Sequence, residues 1–446
     1  MKKYTVCIVG GGSRYTPGIL RMLCSKKDIF PMKRIVLYDN EPERQEKIGK
    51  YGEILFKEYF PELESFEYTT DPEIAFTGMD FALMQIRAGR LKMREKDEKI
   101  SLKHGCIGQE TCGAGGFAYG MRSVPAVIDV IKNIRKYSPK AWVLNYSNPA
   151  AIVAEATKRV FPDDFRIINI CDTPLGIMRV YASVLGIPDS QLEPRYFGLN
   201  HFGWYTKVID KKTGEDYLPK LRQILKNSIN YQEAISAKDK SKQETLNFMS
   251  RMISDSSEYL PNTYLQYYLY PATMIKKENP EYTRANEVMD GNEKQIHQMV
   301  DEVIAAGKLK GTKHEPKTSG FDVHAGFIVD LANAIANNTN EIFVCLNENK
   351  GTIENLDSGM MLEVPCRVGS NGIEALNVGS VGTFYKGLLE NQYAYEKLTV
   401  DACLEGSYDK AWKALTLNRT VVDMDVAKAL LDDFIEANKG YWPVLK

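Results

Sequence analysis

The sequence lacks the features that would direct it to a membrane, to nucleic acid or out of the cell. No apolar run reaches the roughly 18 residues of a membrane span. The 57 lysines and arginines are balanced by 58 aspartates and glutamates, so a net charge of −1 gives no electrostatic reason to bind nucleic acid or an acidic membrane. The amino terminus enters a predicted strand at once, and we therefore expect no cleavable signal.

Paired cysteines are also missing. The eight cysteines are scattered through 446 residues, and no two of them form a CxxC pair. They are Cys7, Cys24, Cys106, Cys112, Cys171, Cys345, Cys366 and Cys403. In a chain of this size such scatter argues against a disulfide framework and favours a reducing, cytoplasmic location.

The first part of the chain instead alternates apolar, strand-like runs with helical patterns. The predicted strands are 4–9, 34–38, 81–86, 141–146 and 166–170, and the predicted helices are 43–59, 122–137 and 150–160. This alternation predicts an α/β fold, with a doubly wound, Rossmann-like parallel sheet in a domain of residues 1–195. Residues 196–446 change character and are predicted to form an α+β substrate and metal domain that also serves oligomerisation, with strands in 341–382 and helices in 383–439.

A glycine-rich turn follows the first strand and predicts a dinucleotide site. Gly10, Gly11, Gly12 and Ser13 stand between a strand and a helix, where backbone N–H groups can approach a pyrophosphate. The third glycine of the fingerprint is missing, because Tyr15 occupies its position.

The second half of the dinucleotide signature is an acid at the end of the next strand. Asp39 is placed to bind the ribose hydroxyls of NAD and to repel the extra phosphate of NADP. Arg44 is grouped with these predicted cofactor contacts. The alternative is a turn without phosphate, with Asp39 as a helix cap.

Three further segments are interpreted from composition. Residues 94–122 carry six glycines, and residues 109–116 among them are predicted to form a loop that packs closely against a ligand or another backbone, or a plain surface loop. Residues 210–245 and 306–320 are polar and are predicted to be solvated.

A thiol and a carboxylate stand side by side where a predicted strand ends. Cys171 could share a divalent cation with His201, since thiolate and imidazole suit Zn²⁺, Mn²⁺ or Fe²⁺. The alternative is that both are packing residues. Asp172 is either a general acid or the N-cap of the helix that begins at Thr173-Pro174.

Three more side chains are candidates for chemistry or binding. Tyr264 lies in a tyrosine-rich stretch that is either a packing surface or the site of a phenolate base beside a cation. Arg94 and Arg284 could each make a forked contact to a phosphate, or be simply solvated.

Taken together, these motifs resemble glycoside hydrolase family 4, and within it the 6-phospho-α-glucosidases that act on maltose 6′-phosphate. The resemblance covers nearly the whole chain. It is carried by Val9-Gly10-Gly11-Gly12-Ser13, Leu37-Tyr38-Asp39, Gly108-Gln109-Glu110-Thr111-Cys112-Gly113, Asn145-Tyr146-Ser147-Asn148-Pro149, Cys171-Asp172-Thr173-Pro174, Asn200-His201-Phe202-Gly203-Trp204 and Asn262-Thr263-Tyr264-Leu265-Gln266-Tyr267-Tyr268.

The resemblance implies hydrolysis assisted by NAD, which is the family's exception to the two-carboxylate rule for glycosidases. NAD⁺ would take a hydride from C3 of the phosphoglucosyl ring, and a cation held by Cys171 and His201 would stabilise the enediolate. Mn²⁺ is the expected cation, with Fe²⁺, Co²⁺ or Ni²⁺ as alternatives. Tyr264 would remove the C2 proton and Asp172 would protonate the departing oxygen. Water then adds, and NADH returns the hydride.

The resemblance also implies substrate contacts and anomeric preference. Arg94, Asn148 and Arg284 match positions that contact the phosphorylated disaccharide. Asp172 matches the α-type pattern Cys-Asp-x-Pro, whereas 6-phospho-β-glucosidases carry Asn, which cannot donate a proton as an acid. Thr173 departs from the pattern, because close relatives usually carry Met there. A homodimer or homotetramer is expected.

Three other functions remain open on the sequence. One is a 6-phospho-β-glucosidase of the same family. Another is an NAD-dependent 2-hydroxyacid dehydrogenase, which has a similar first domain but needs a histidine–carboxylate relay and no metal thiolate. The third is a regulator that senses NAD without turnover.

Overall fold

The computed structural model describes residues 2–226, 240–255, 258–316, 323–421 and 423–446. Parts of the two segments predicted to be solvated, residues 227–239 and 317–320, lie outside the described residues. Among the helices described, none is both long enough and apolar enough to cross a membrane.

The elements of the first half follow the predicted alternation of strands and helices. The strands are β1 (Tyr4–Val9), β2 (Met32–Tyr38), β3 (Ser65–Thr69), β4 (Phe81–Met84), β5 (Trp142–Asn145) and β6 (Ile167–Ile170). The helices are α1 (Thr16–Ser25), α2 (Pro42–Tyr59), α3 (Pro72–Phe76), α4 (Arg90–Lys103), α5 (Gly113–Tyr137), α6 (Ala150–Val160) and α7 (Thr173–Leu185).

The second half mixes hairpins with helices. Its strands are β7 (Leu192–Leu199), β8 (Phe202–Asp210), β9 (Leu260–Pro261), β10 (Glu341–Glu348), β11 (Met361–Gly369) and β12 (Gly372–Ala375). Its helices are α8 (Leu218–Leu225), α9 (Lys240–Asp255), α10 (Leu265–Leu269), α11 (Pro271–Ile275), α12 (Arg284–Val288), α13 (Lys294–Ala306), α14 (Val323–Asn337), α15 (Thr383–Glu405), α16 (Tyr408–Leu417) and α17 (Met424–Ala437).

The predicted doubly wound sheet is confirmed. Its six parallel strands run in the order β3-β2-β1-β4-β5-β6, which is the order of a dinucleotide-binding fold. β1 is apolar throughout and buried from Thr5 to Val9, as expected for a central strand covered on both faces. In this fold, ligands bind outside the carboxyl ends of the strands, where the strand order reverses.

The second half of the chain extends the same sheet. β10 pairs antiparallel with β6, with Cys345 opposite Ile170, and β11 and β12 continue outward from β10. β6 therefore has a partner on each side, and the strand that delivers Cys171 is held in the interior of a nine-stranded sheet. The division at residue 195 remains a prediction, because the two halves share this sheet.

A separate three-stranded sheet, β7-β8-β9, carries the predicted histidine. His201 lies in the tight turn between β7 and β8 and has a left-handed backbone conformation, with φ of 61°. Such a φ is uncommon for residues other than glycine, and the turn holds the imidazole in a buried position with 4% exposure.

The loop predicted for residues 109–116 is confirmed for 109–112 and wrong for the rest, because α5 begins at Gly113. Its glycines serve a close backbone approach inside the first turn of α5. A Cβ on Gly115 would lie 2.5 Å from the carbonyl oxygen of Gln109, and one on Gly116 would lie 2.4 Å from that of Thr111. The segment before α5 folds back onto the helix, and glycine is what permits it.

Candidate active site

A cavity of about 1470 Å³ opens at the carboxyl ends of the parallel strands. It brings together most of the residues predicted to act in binding or catalysis. Those that line it are Gly10, Ser13, Asp39, Arg44, Asn148, Cys171, Asp172, His201 and Tyr264. Gly11, Gly12, Arg94 and Arg284 do not line this cavity.

One end of the cavity is the glycine-rich turn. Asp39 accepts a hydrogen bond from the backbone N–H of Gly12 at 2.8 Å, so the predicted ribose acid also fixes the turn. Burial raises the pKa of Asp39, while the Gly12 N–H and the nearby Arg44 act to lower it. Gly11 cannot carry a side chain without a shift, because its Cβ would lie 2.7 Å from that of Leu37.

The other end holds the predicted cation ligands. Cys171 Sγ lies 3.4 Å from His201 Nε2. Thr173 Oγ1 lies 3.2 Å from the same nitrogen and 3.3 Å from the sulfur. The structure thus brings a strand end, a helix start and a hairpin turn to one point, and the thiol and imidazole predicted to meet do meet.

His201 is fixed on two further sides. Its Nδ1 lies 2.8 Å from Thr111 Oγ1, and its ring stacks on that of Tyr264 with centroids 3.7 Å apart and planes 4° from parallel. Tyr264 is in turn positioned by Asn262, whose side-chain oxygen accepts the Tyr264 backbone N–H at 3.0 Å. The predicted base therefore lies face to face with a predicted cation ligand.

Asp172 precedes α7, but its side chain makes no capping hydrogen bond to that helix. The carboxylate instead interacts with the buried hydroxyl of Tyr146: burial raises the pKa of Tyr146, and the charge of Asp172 and a hydrogen bond to it raise that pKa further. Because Asp172 lines the cavity beside Cys171, the general-acid interpretation fits the geometry better than the cap.

Arg94 is buried behind the cavity wall in an ion-pair network. Its guanidinium lies 2.6 Å from Glu98 and 2.5 Å from Glu110, and Glu110 also pairs with Arg87, which does line the cavity. Burial alone would raise the pKa of Glu110, but Arg87 and Arg94 outweigh it and hold this pKa at about 2. Sequence reasoning missed Arg87 and Glu110 as site residues, although Glu110 stands in a quoted motif.

Arg284 occupies a different environment from the other predicted contacts. It is the first residue of α12, its side chain is 48% exposed, and it pairs with Glu287 at 2.6 Å. Glu98 accepts the backbone N–H of the next residue, Ala285, at 2.9 Å. The start of α12 is thus attached to the network that holds Arg94.

Glu363 is a third residue that sequence reasoning missed. This carboxylate is fully buried on β11 and accepts hydrogen bonds from Asn200 at 2.8 Å and from Tyr196 at 3.1 Å. Burial raises its pKa. A lone carboxylate in the apolar run 360–366 is the signal that could have revealed it.

The donor set at the Cys171 end suits a borderline cation. Burial, with the charges of Glu363 and Asp172, raises the pKa of the Cys171 thiol, so a positive charge is needed nearby to stabilise the thiolate. Within the residues that the structure describes, no three His, Cys, Asp or Glu side chains converge as a metal site.

Two protein-family models match the chain. The model for family 4 glycosyl hydrolases matches residues 5–187, and the model for the C-terminal domain of that family matches residues 196–421. The chain therefore belongs to glycosyl hydrolase family 4, as the resemblance predicted.

The chain is also similar over its whole length to individual glucosidases. The chain is 71% identical to the phospho-alpha-glucosidase PagL of Clostridium acetobutylicum, over 99% of each chain. It is 49% identical to a maltose-6′-phosphate glucosidase of Fusobacterium mortiferum, over 100% of each chain. A 6-phospho-alpha-glucosidase from gut microorganisms, solved in complex with NAD and Mn²⁺, has a TM-score of 0.95 and 51% identity over 100% of each chain.

Proposed function

We propose that this protein hydrolyses 6-phospho-α-glucosides such as maltose 6′-phosphate, with NAD and a divalent cation, Mn²⁺ first among the candidates. The observation that carries the proposal is the 71% identity to a phospho-alpha-glucosidase over 99% of the chain. The site supports it, because Cys171, Asp172, His201 and Tyr264 all face one cavity that begins at a dinucleotide turn.

Two groups of residues would hold the cofactors. Gly10, Gly11, Gly12 and Ser13 would cradle the pyrophosphate of NAD, with Asp39 on the ribose and Arg44 beside it. Cys171 and His201 would hold the cation. When bound, NAD supplies a reversible hydride acceptor and the cation supplies electrostatic stabilisation of sugar oxygens.

Asp172 and Tyr264 would carry out the proton transfers of the reaction, as acid and base respectively. Asp172, which lines the cavity beside the predicted cation ligands and makes no capping hydrogen bond, would donate to the glycosidic oxygen as it leaves. Tyr264 would take the proton from C2 of the ring. Burial, chiefly, and the nearby Cys112 and Cys171 raise the pKa of Tyr264, so its phenol acts as a base only with a positive charge beside it.

The predicted substrate contacts fall into two groups. Asn148 lines the cavity and would contact the sugar directly. Arg94 lies behind the cavity wall and pairs with Glu98 and Glu110, and Arg284 is exposed outside it and pairs with Glu287. We propose that Arg87, which lines the cavity, meets the phosphate, with Arg94 behind it in the same ion-pair network and Arg284 as an outer contact. A cytoplasmic location and a homodimer or homotetramer complete the proposal.

The α-anomeric preference rests on Asp172, since an acid at this position can protonate a poor leaving group and an asparagine cannot. The test is a release assay with the purified protein, NAD⁺ and MnCl₂, using p-nitrophenyl α- and β-glucoside 6-phosphates. Release from the α-anomer without net NADH is the expected result. Preference for the β-anomer would contradict the α assignment.

The same assay separates the other two functions. Accumulation of NADH on a 2-hydroxyacid, without release from either glucoside, would indicate the dehydrogenase. NAD binding by calorimetry with no turnover of any substrate would indicate the regulator.

A further inference from the structure

Three different donor atoms form a nearly equilateral triangle at the end of β6. They are Cys171 Sγ, Thr173 Oγ1 and His201 Nε2, and the three edges measure 3.3, 3.2 and 3.4 Å. All three residues line the cavity. The thiol and imidazole were predicted as cation ligands, but the hydroxyl was not.

The edge lengths are compatible with three ligands on one ion. Metal bonds of about 2.0–2.4 Å at right angles separate their donor atoms by roughly 2.8–3.4 Å. In the structure the same three atoms lie within hydrogen-bond distance of one another, so the Thr173 hydroxyl already contacts both predicted cation ligands.

The hydrogen bonds around Thr111 determine which nitrogen of a neutral His201 ring carries the lone pair. Gln109 Oε1 accepts the backbone N–H groups of Thr111 at 2.6 Å and of Cys112 at 2.8 Å, which fixes the orientation of that amide. The Thr111 hydroxyl must therefore donate to Gln109 Oε1, at 3.0 Å. It can then accept from His201 Nδ1–H at 2.8 Å, which in the neutral imidazole leaves the lone pair on Nε2.

The hydroxyl of Thr173 is held in place by the start of a helix. Thr173 is the first residue of α7 and Pro174 the second, so the backbone there is fixed in helical conformation. No carboxylate, thiol or imidazole among the described residues completes a three-residue metal group with Cys171 and His201.

We propose that Thr173 Oγ1 is the third protein ligand of the divalent cation. This inference rests on the cation role proposed above for Cys171 and His201. Sulfur, nitrogen and oxygen would occupy one face of the cation, and the opposite face would be open to the sugar in the cavity. A hydroxyl is a hard oxygen donor, and it favours Mn²⁺ over softer cations.

The first experiment measures the affinity of metal-free protein for Mn²⁺ by the electron paramagnetic resonance of free Mn²⁺, without substrate. Thr173→Val keeps the shape and removes the oxygen, and is expected to weaken Mn²⁺ binding about tenfold. Thr173→Ser keeps the oxygen and is expected to stay within about twofold of the unmodified protein. Equal affinity in Thr173→Val and the unmodified protein would overturn the proposal.

A spectroscopic variant separates ligation from a structural role. In the Co²⁺-loaded protein under reducing conditions, Thr173→Cys would add a second thiolate to that of Cys171. The thiolate-to-cobalt absorption is then expected to roughly double. An unchanged spectrum would mean that position 173 does not touch the cation, whatever its effect on folding.

Cys171→Ser serves as the reference for the proposed function. If Cys171→Ser weakens Mn²⁺ binding and Thr173→Val does not, only the third ligand is wrong. If neither variant changes Mn²⁺ binding, the cation site itself is wrong. NAD affinity and thermal unfolding of each variant report folding, and Thr173→Met supplies the family residue should Thr173→Val fail to fold.

Discussion

The two ends of the cavity are built in different ways. The dinucleotide end consists of backbone N–H groups from one short turn, held by Asp39 27 residues further along the chain. The cation end consists of side chains from four separate elements, with Thr111, Cys171, His201 and Tyr264 converging within hydrogen-bond or stacking distance. The first end depends on local chain geometry, and the second depends on long-range packing.

This difference predicts how a substitution at each end affects activity, stability and NAD binding. At the cation end, one exchanged atom should remove a chemical step and leave the fold and NAD binding intact. At the dinucleotide end, an added atom should disturb the backbone and affect stability and NAD binding together. Four changes, from the largest expected effect to the smallest, test this contrast.

Asp172→Asn should have the largest effect on rate. Loss of a general acid typically costs about 10²–10⁴-fold, and the cost should fall on substrates with poor leaving groups. We expect hydrolysis of maltose 6′-phosphate to drop by this amount, while a nitrophenyl glucoside 6-phosphate is much less affected and the NAD affinity is unchanged. Equal losses on the two substrates, measured as kcat/KM, would contradict the acid role.

Glu110→Gln tests the ion-paired wall between the two ends. The pKa of Glu110 is about 2 in the folded protein, against about 4.3 in an unfolded chain, so its ionised form stabilises the fold by about 3 kcal/mol. That contribution is complete above the unfolded pKa and is lost as the pH falls through about 4 towards 2.

The measurement is urea unfolding of both proteins at several pH values. Glu110→Gln should be less stable than the unmodified protein at pH 7, and the difference should shrink as the pH falls below about 4. A difference that stays constant with pH would mean that Glu110 is not ionised between Arg87 and Arg94.

Gly11→Ala tests the backbone-built end. The new Cβ would lie 2.7 Å from Leu37 Cβ, and such overpacking typically costs about 1–3 kcal/mol. We expect a lower melting temperature together with weaker NAD binding by calorimetry. Gly176→Ala is the control, since Gly176 lines the cavity but its Cβ would meet no atom within 4 Å. Equal melting temperatures and equal NAD affinities in the two variants would contradict the close packing at Gly11.

Thr111→Val should have the smallest effect. Removal of the partner of His201 Nδ1 leaves the fold intact but releases the ring orientation, which typically weakens metal binding by about tenfold. Thr111→Ser keeps the hydroxyl and should retain the affinity. The measurement is a Mn²⁺ titration of both variants. Unchanged Mn²⁺ binding in Thr111→Val would mean that Thr111 does not position the ring of His201.

The same contrast explains how much the sequence revealed. The strand–helix alternation, the glycine turn and Asp39 are local patterns, so the parallel sheet and the dinucleotide end could be predicted. Cys171 and His201 were expected to lie together from the chemistry of their side chains and from the family resemblance, and the structure places them in contact. Thr111 and Thr173 were not predicted as neighbours of His201, because threonine has no pattern that distinguishes a ligand from a cap or a core residue.

Two features needed the three-dimensional arrangement. The helical state of Gly113–Gly116 was missed because glycine normally disfavours helices, and only the fold-back of the preceding segment explains it. The pairing of β10 with β6 joins residues about 175 positions apart, and no local signal specifies such a partner.

That pairing has a consequence for any attempt to express the two halves separately. A fragment that stops at residue 195 would leave β6 as an exposed edge strand with unpaired backbone amides. The apolar side chains of Ile168 and Ile170 would then pack against another chain. The dinucleotide half is therefore expected to aggregate when produced alone. Adding residues 338–378 back in trans should rescue its solubility by strand complementation.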